Sequence, residues 1–165
     1  MPILVAIVAL LVFFAWKREK ASGATSTPTS NPYGLGASSN PIDDMGEAIA
    51  RFEGFYQSGS VAARDNNPGN LKQRGGAGWV GSTGAGFAEY QDVGDGWTSL
   101  NDYLTRHIQA HPDWDFYDFF SYYLRGKTNG ATQDNQGNSD AYAEYVASYM
   151  GADPTQTVSS AIYGG

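Results

Sequence analysis

Glu53 lies in the stretch ARFEGFYQSGSVAARDNNPGNLK, residues 50–72, with Phe52 before it and Gly54, Phe55 and Tyr56 after it. Aromatic neighbours desolvate a carboxylate, and the last turn of a helix opposes negative charge by ~0.3–1 kcal/mol. Both effects favour the neutral acid and so raise its pKa. An acid that stays protonated near neutral pH can deliver a proton to a leaving oxygen, as cleavage of a glycosidic bond requires. A glutamate is ordinarily just solvated, and these features single out Glu53 without identifying a reaction.

The loop that follows, RDNNPGNL, brings Asp65, Asn66, Asn67 and Asn70 into play. Each asparagine amide both donates and accepts, which suits the acetamido and hydroxyl groups of amino sugars. Pro68-Gly69 is a turn pair that would fix their directions. The same amides can equally cap the backbone of the loop itself. A hydrolase acting on sugars uses a second carboxylate. Asp65 is the best-placed candidate, followed by Glu89, Asp92 and Asp95. Trp79, Tyr90, Tyr142 and Tyr145 are aromatics that could line a sugar cleft or fill a core.

The elements that must carry these residues are mostly helical. Asn40 reads as an N-cap with Pro41 at the first helical position, and Asp43 and Asp44 suit the helix dipole. Ile42, Met45, Ile49 and Phe52 recur at helical spacing as an inward stripe, and Gly54 supplies the stop. Residues 57–96 are glycine-rich, with short extended pieces such as GFAEYQD, and read as loops with a small hairpin or sheet. DGWTSLNDYLTRHI returns to a helix with Trp97, Leu100, Leu104 and Ile108 on one face. DFYDFFSYYL forms another with Phe116, Phe119, Phe120, Tyr123 and Leu124 inward. TNGATQDNQGN reads as a polar loop. A helix from a Ser139 cap to Gly151 follows, and a short last one starts from an Asp153 cap. The expected fold is mainly α, in an α+β arrangement, with a small glycine-rich β or loop insertion after the first helix.

Composition excludes several chemistries. There is no cysteine, which rules out disulfides, thiolate metal sites and cysteine nucleophiles. GGAGWVGSTGAG lacks the Gly-Lys-Ser/Thr ending of a phosphate-binding loop. His107 and His111 are four apart but have no third ligand or His-Glu-x-x-His form, so no metal and no cofactor is expected. After residue 40 the chain carries seven basic against sixteen acidic side chains, a balance of −9 that repels phosphate backbones. Nucleic acid is therefore not an expected partner.

The first 16 residues, MPILVAIVALLVFFAW, form an unbroken apolar run followed by KREK. As a helix the run spans roughly 24 Å, short of a ~30 Å hydrocarbon core, and snorkelling of Lys17 and Arg18 makes up part of the difference. A cleaved signal peptide needs its basic residues before the apolar run, and here they follow it. The expectation is a retained transmembrane helix at residues 1–20, a flexible Ser/Thr/Gly/Pro-rich tether at 21–40, and one globular domain at 41–163. The positive-inside rule puts the basic flank, and with it the domain, on the cytoplasmic side.

The ordered set FEGF, RDNNPGNL, GFAEYQDVGDGWTSLNDYL and NSDAYAEYV resembles the lysozyme-like superfamily, on its lytic transglycosylase and goose-type lysozyme side. The likeness is strongest to NNPGNL-type domains of phage virion proteins and runs over about residues 42–160. NNPGNL is the specific signal; the other pieces gain weight from their order. The resemblance implies that Glu53 is the catalytic acid and that Asn67, Pro68, Gly69 and Asn70 help to build the cleft. It implies a peptidoglycan-cleaving glycosidase acting on the bond between N-acetylmuramic acid and N-acetylglucosamine. Glu53 and Asp65 would be the catalytic candidates, with Asn66, Asn67, Asn70, Tyr90 and Tyr142 meeting the substrate. The position of Asp65 is often another polar residue in that family, and a lytic transglycosylase needs no second carboxylate, because the 6-hydroxyl of the muramic acid attacks its own anomeric carbon. The partners implied are glycan strands, a lipid membrane through residues 1–16 and other virion proteins, at a bacterial inner membrane or the internal membrane of a phage. The competing expectation is a structural or glycan-binding virion component that keeps the shape without the activity.

Overall fold

The computed structural model describes residues 40–72, 75–125 and 136–164. The expected anchor and nearly all of the tether lie outside the described residues, and among the described residues no helix is long and apolar enough to cross a membrane.

The first helix, α1, runs over Pro41–Phe52, and the Asn40 side chain caps it by accepting from the Ile42 N–H at 3.2 Å. Met45, Ala48 and Ile49 bury its inner stripe. Phe52, expected inward, is instead 43% exposed. It belongs to the last turn, where the stripe leaves the core and the ring stacks sideways on a later helix. A short helix absent from the sequence reading, α2 at Val61–Arg64, follows; four residues are too few for a periodic signal. The glycine-rich segment then forms the expected hairpin: β1 at Trp79–Ser82 pairs antiparallel with β2 at Ala88–Tyr90, with Trp79 opposite Tyr90 and Ser82 opposite Ala88.

Four more helices follow among the described residues. The longest, α3 at Val93–Ala110, is capped by Asp92, which accepts from the Asp95 N–H at 2.9 Å. Trp97, Leu100, Leu104 and Ile108 are buried along its expected face. In α4, Phe116–Arg125, Phe116, Phe119 and Phe120 are buried, but Leu124 is 42% exposed. The stripe continues through Phe119 to Tyr123 and leaves Leu124 at its edge. The fifth helix, α5, spans Gln136–Met150 and so starts a turn before the expected Ser139 cap; Ser139 lies inside it and is buried. The last, α6 at Val158–Tyr163, is capped by Thr157 rather than Asp153. Asp153 closes the preceding turn instead, accepting from the Thr155 N–H at 2.8 Å and its hydroxyl at 2.7 Å.

The described residues are therefore mainly helical with one small hairpin. α1 lies against α3 and α5, α4 against α5, and α6 touches both α1 and α3. Their apolar faces meet in one core that includes Met45, Ile49, Leu100, Leu104, Phe116, Phe120, Tyr142 and Val146. Full burial of each large apolar side chain contributes about 1.5–3 kcal/mol, so this core anchors the end of α1 from several directions.

Candidate functional site

Glu53 is the C-cap of α1, and the Gly54 that follows explains its fixed position. Gly54 takes φ +73°, a left-handed conformation that glycine adopts without steric cost. Its N–H donates to the Arg51 carbonyl at 3.1 Å, and the Phe55 N–H donates to the Ala50 carbonyl at 2.9 Å. These two bonds close the helix and reverse the chain directly after the carboxylate. Phe55 then turns into the core, edge-on to Trp97 at 6.0 Å. The Tyr56 hydroxyl donates to the Glu47 carboxylate. Neither forms the expected aromatic wall around Glu53.

That wall comes from α5. The Tyr142 hydroxyl donates to Glu53 Oε1 at 3.0 Å, and its ring is held between Phe52 (3.9 Å between centroids, 17° between planes) and Phe120 (4.5 Å, 22°). On the other side, Asn70 Nδ2 donates to Glu53 Oε2 at 2.8 Å. The half-buried carboxyl is thus gripped at both oxygens. Burial raises its pKa above the ordinary range, and the bonds from Asn70 and Tyr142, which favour the ionised form, offset only part of that effect.

Asn70 is delivered by a rigid loop. Asn66 and Asn70 take φ of +51° and +46°, a left-handed conformation that asparagine tolerates better than most residues. Asn67 lies between them, fully buried. Its amide donates to the carbonyls of Leu71 and Ala88, both at 2.9 Å, and accepts from the Leu71 N–H at 2.9 Å. Asn66 Nδ2 donates to the Tyr90 carbonyl at 3.0 Å. The expected substrate amides of Asn66 and Asn67 are therefore spent on tying the loop to β2, and buried Asn67 offers nothing to a ligand. Tyr90 is itself buried, and its N–H donates to the Asp65 carbonyl at 3.0 Å.

Two glycines let this loop sit so close to the helices. A Cβ on Gly96 of α3 would fall 1.8 Å from the Asn66 carbonyl oxygen. A Cβ on Gly69 would fall 2.6 Å from the Tyr123 hydroxyl and 2.7 Å from Leu100. Tyr123, read from sequence only as an inward core residue, donates its hydroxyl to the Gly69 carbonyl. Nothing in its spacing distinguishes it from its neighbours in the stripe.

Asp65 caps α2 and is buried, with its carboxylate turned to its neighbour Arg64: Nε reaches Oδ1 at 2.8 Å and Nη2 reaches Oδ2 at 3.3 Å. The two histidines belong to an aromatic group at the end of α3, His111 stacked on Trp114 at 3.7 Å and His107 against Tyr103 at 4.2 Å. Among the described residues no group of three or more His, Cys, Asp or Glu is placed to share a metal ion.

Among the described residues the arrangement is one oriented carboxyl group with a raised pKa, no cation among its hydrogen-bond partners, and the exposed ring of neighbouring Phe52, which lies 5.4 Å from that of exposed Tyr145. Such a group can give up a proton and take it back. Comparison of the chain with protein-family models, curated proteins and solved structures finds no match.

Proposed function

We propose that the protein is a peptidoglycan-cleaving glycosidase of the lytic transglycosylase type, with Glu53 as its acid and base, held to a membrane by residues 1–16. The observation that carries this reading is the Glu53 carboxyl, raised in pKa by burial yet oriented at both oxygens by Asn70 and Tyr142. Burial favours the protonated form, and the two donors keep the group from rotating. The resemblance of FEGF, NNPGNL and the later segments to lysozyme-like domains points to the same residue.

In this mechanism protonated Glu53 passes its proton to the glycosidic oxygen as the bond to the muramic acid C1 breaks. The N-acetylglucosamine leaves with that proton on its 4-oxygen, and positive charge builds at C1 and the ring oxygen. The carboxylate then takes the proton from the muramic acid 6-hydroxyl, whose oxygen bonds to C1 and closes a 1,6-anhydro ring. Glu53 ends protonated, and no water is consumed. Asn70 and Tyr142 donate to the carboxylate in the interval, when it is charged and half-buried.

The engagement of Asp65 with Arg64 favours the single-acid route over a hydrolase with two working carboxylates. The apolar run and its basic flank support attachment to a membrane, with the domain on the cytoplasmic side in the producing cell; an internal virion membrane would then carry it to the wall at entry. Mass spectrometry of peptidoglycan digested by the full chain tests the reaction. Anhydro-muramic ends are expected. Reducing ends would replace this reading with a muramidase, and undigested peptidoglycan would favour a structural component.

A further inference from the structure

We propose that Tyr123 is a positioning residue for Glu53, acting through the Gly69 carbonyl on the Asn70 side chain. The inference rests on the reading of Glu53 as the acid, but its geometry is independent of the substrate. Gly69 C=O and Asn70 N–H belong to one peptide group, and that group is tied at both ends. The Tyr123 hydroxyl donates to its oxygen, and its N–H donates to the Asn67 carbonyl at 3.0 Å. The Asn70 side chain leaves directly from this plane and reaches Glu53 Oε2 at 2.8 Å.

The plane needs such ties. Asn70 is held at φ +46°, where a residue with a side chain stays only if its surroundings insist. Tyr123 comes from α4, a different element from the two that carry Glu53 and Tyr142, so it anchors the loop to the helical core rather than to the cleft. Its ring is packed edge-on against Tyr103 at 5.4 Å and Tyr142 at 5.9 Å, which fixes where the hydroxyl sits. The absence of a Cβ at Gly69 makes room for it, since that atom would lie 2.6 Å from the hydroxyl oxygen. Without the hydroxyl the peptide is tied only at its nitrogen, and the Asn70 amide is free to swing off the carboxylate.

Among the described residues the titratable groups facing Glu53 are Tyr142 from α5 and Tyr123 from α4. Burial pushes both phenols well above their usual pKa, so both remain neutral donors through the working pH range. On α1 itself, Glu47 and Arg51 pair with each other at 2.7 Å. Asn70 is then the donor whose loosening changes the titration of Glu53.

The test is a carboxyl-carbon NMR titration of Glu53 in the full chain in detergent micelles, for wild type, Tyr123→Phe, Asn70→Gly and the double variant. Phenylalanine keeps the ring packing, and glycine accepts the left-handed backbone while removing the amide. Asn70→Gly should move the Glu53 midpoint upward, because a donor to the carboxylate is lost. Tyr123→Phe should move it in the same direction, and should add nothing in the Asn70→Gly background. On peptidoglycan, Tyr123→Phe should lose roughly 10–10²-fold in kcat with KM nearly unchanged. An unmoved midpoint in Tyr123→Phe overturns the proposal, as does an equal shift with and without Asn70. If wild type cuts no glycan while the coupled shifts persist, the function proposed above fails and the positioning role stands.

Discussion

Replacing Gly96 with alanine tests how the loop that carries Asn70 is held against the helices. In an ordinary helix this change stabilises, because alanine is favoured over glycine by about 1 kcal/mol. Here the new Cβ would lie 1.8 Å from the Asn66 carbonyl oxygen and 2.9 Å from Pro68 Cδ. The first of these is a backbone atom, so no side chain can rotate away. Restoring van der Waals separation requires the loop to retreat from α3 by roughly 1.5 Å. Overpacking of this kind costs typically 1–3 kcal/mol, which cancels the gain in helix propensity and leaves a net loss of up to about 2 kcal/mol. The displacement also reaches Asn70, four residues along the same loop, whose 2.8 Å bond to Glu53 does not survive a shift of that size. Lytic rate should fall by roughly 10²-fold. Urea unfolding and turbidity loss of purified peptidoglycan measure the two effects, with Gly84→Ala, whose Cβ would meet nothing within 4 Å, as the neutral control. A Gly96→Ala variant as stable and as active as wild type would refute the close approach of loop and helix, and with it the account of how Asn70 is aimed.

Asn67→Ala should cost about 3 kcal/mol or more in chemical denaturation, because it strands buried backbone groups of Leu71 and Ala88 that the amide now satisfies. Asp65→Asn should leave lytic activity within about threefold, as a residue that does not share in proton transfer would; a loss of ~10² or more would point to a two-carboxylate hydrolase. The stability of wild type should depend on Glu53 with a definite sign. Its folded pKa is raised, so its contribution is fully present below the ordinary 4.5 and is lost as pH rises through the folded value. Glu53→Gln removes that dependence, and its stability relative to wild type should grow across that window and then level off; a relative stability that is flat or falls with pH would contradict the raised pKa.

What could be read in the sequence was what local chemistry decides. The N-cap at Asn40, the end of α1 at Glu53-Gly54 and the inward face of α3 depend on residues a few positions apart, and all three stand in the structure. The misplacements share a cause. Phe52 fits the helical stripe, but Tyr142, ninety positions later, turns its ring outward into a stack. Ser139 and Asp153 are good caps by type, yet α5 begins a turn earlier and Asp153 is taken by Thr155. Glu53 was legible as a residue to watch, whereas the source of its burial was not. The nearby Phe55 and Tyr56 face elsewhere, and Asn70 and Tyr142 reach it across 17 and 89 positions. Asn66 and Asn67 look like ligand contacts because amides suit sugars, but β2 claims them first. Tyr123 carries no local mark at all, since its role exists only once the loop has folded against α4.

The most direct measurement of the central claim is the rate at which full-chain Glu53→Gln solubilises purified peptidoglycan, beside wild type at equal concentration. Glutamine keeps the size of the side chain and can still meet Asn70 and Tyr142, but it has no proton to deliver. With folding verified by an unfolding midpoint at or above that of wild type, the rate should drop by ~10²–10⁴ and anhydro-muramic products should vanish with it. A Glu53→Gln protein that releases the same products at the wild-type rate would contradict the assignment of Glu53 as the acid.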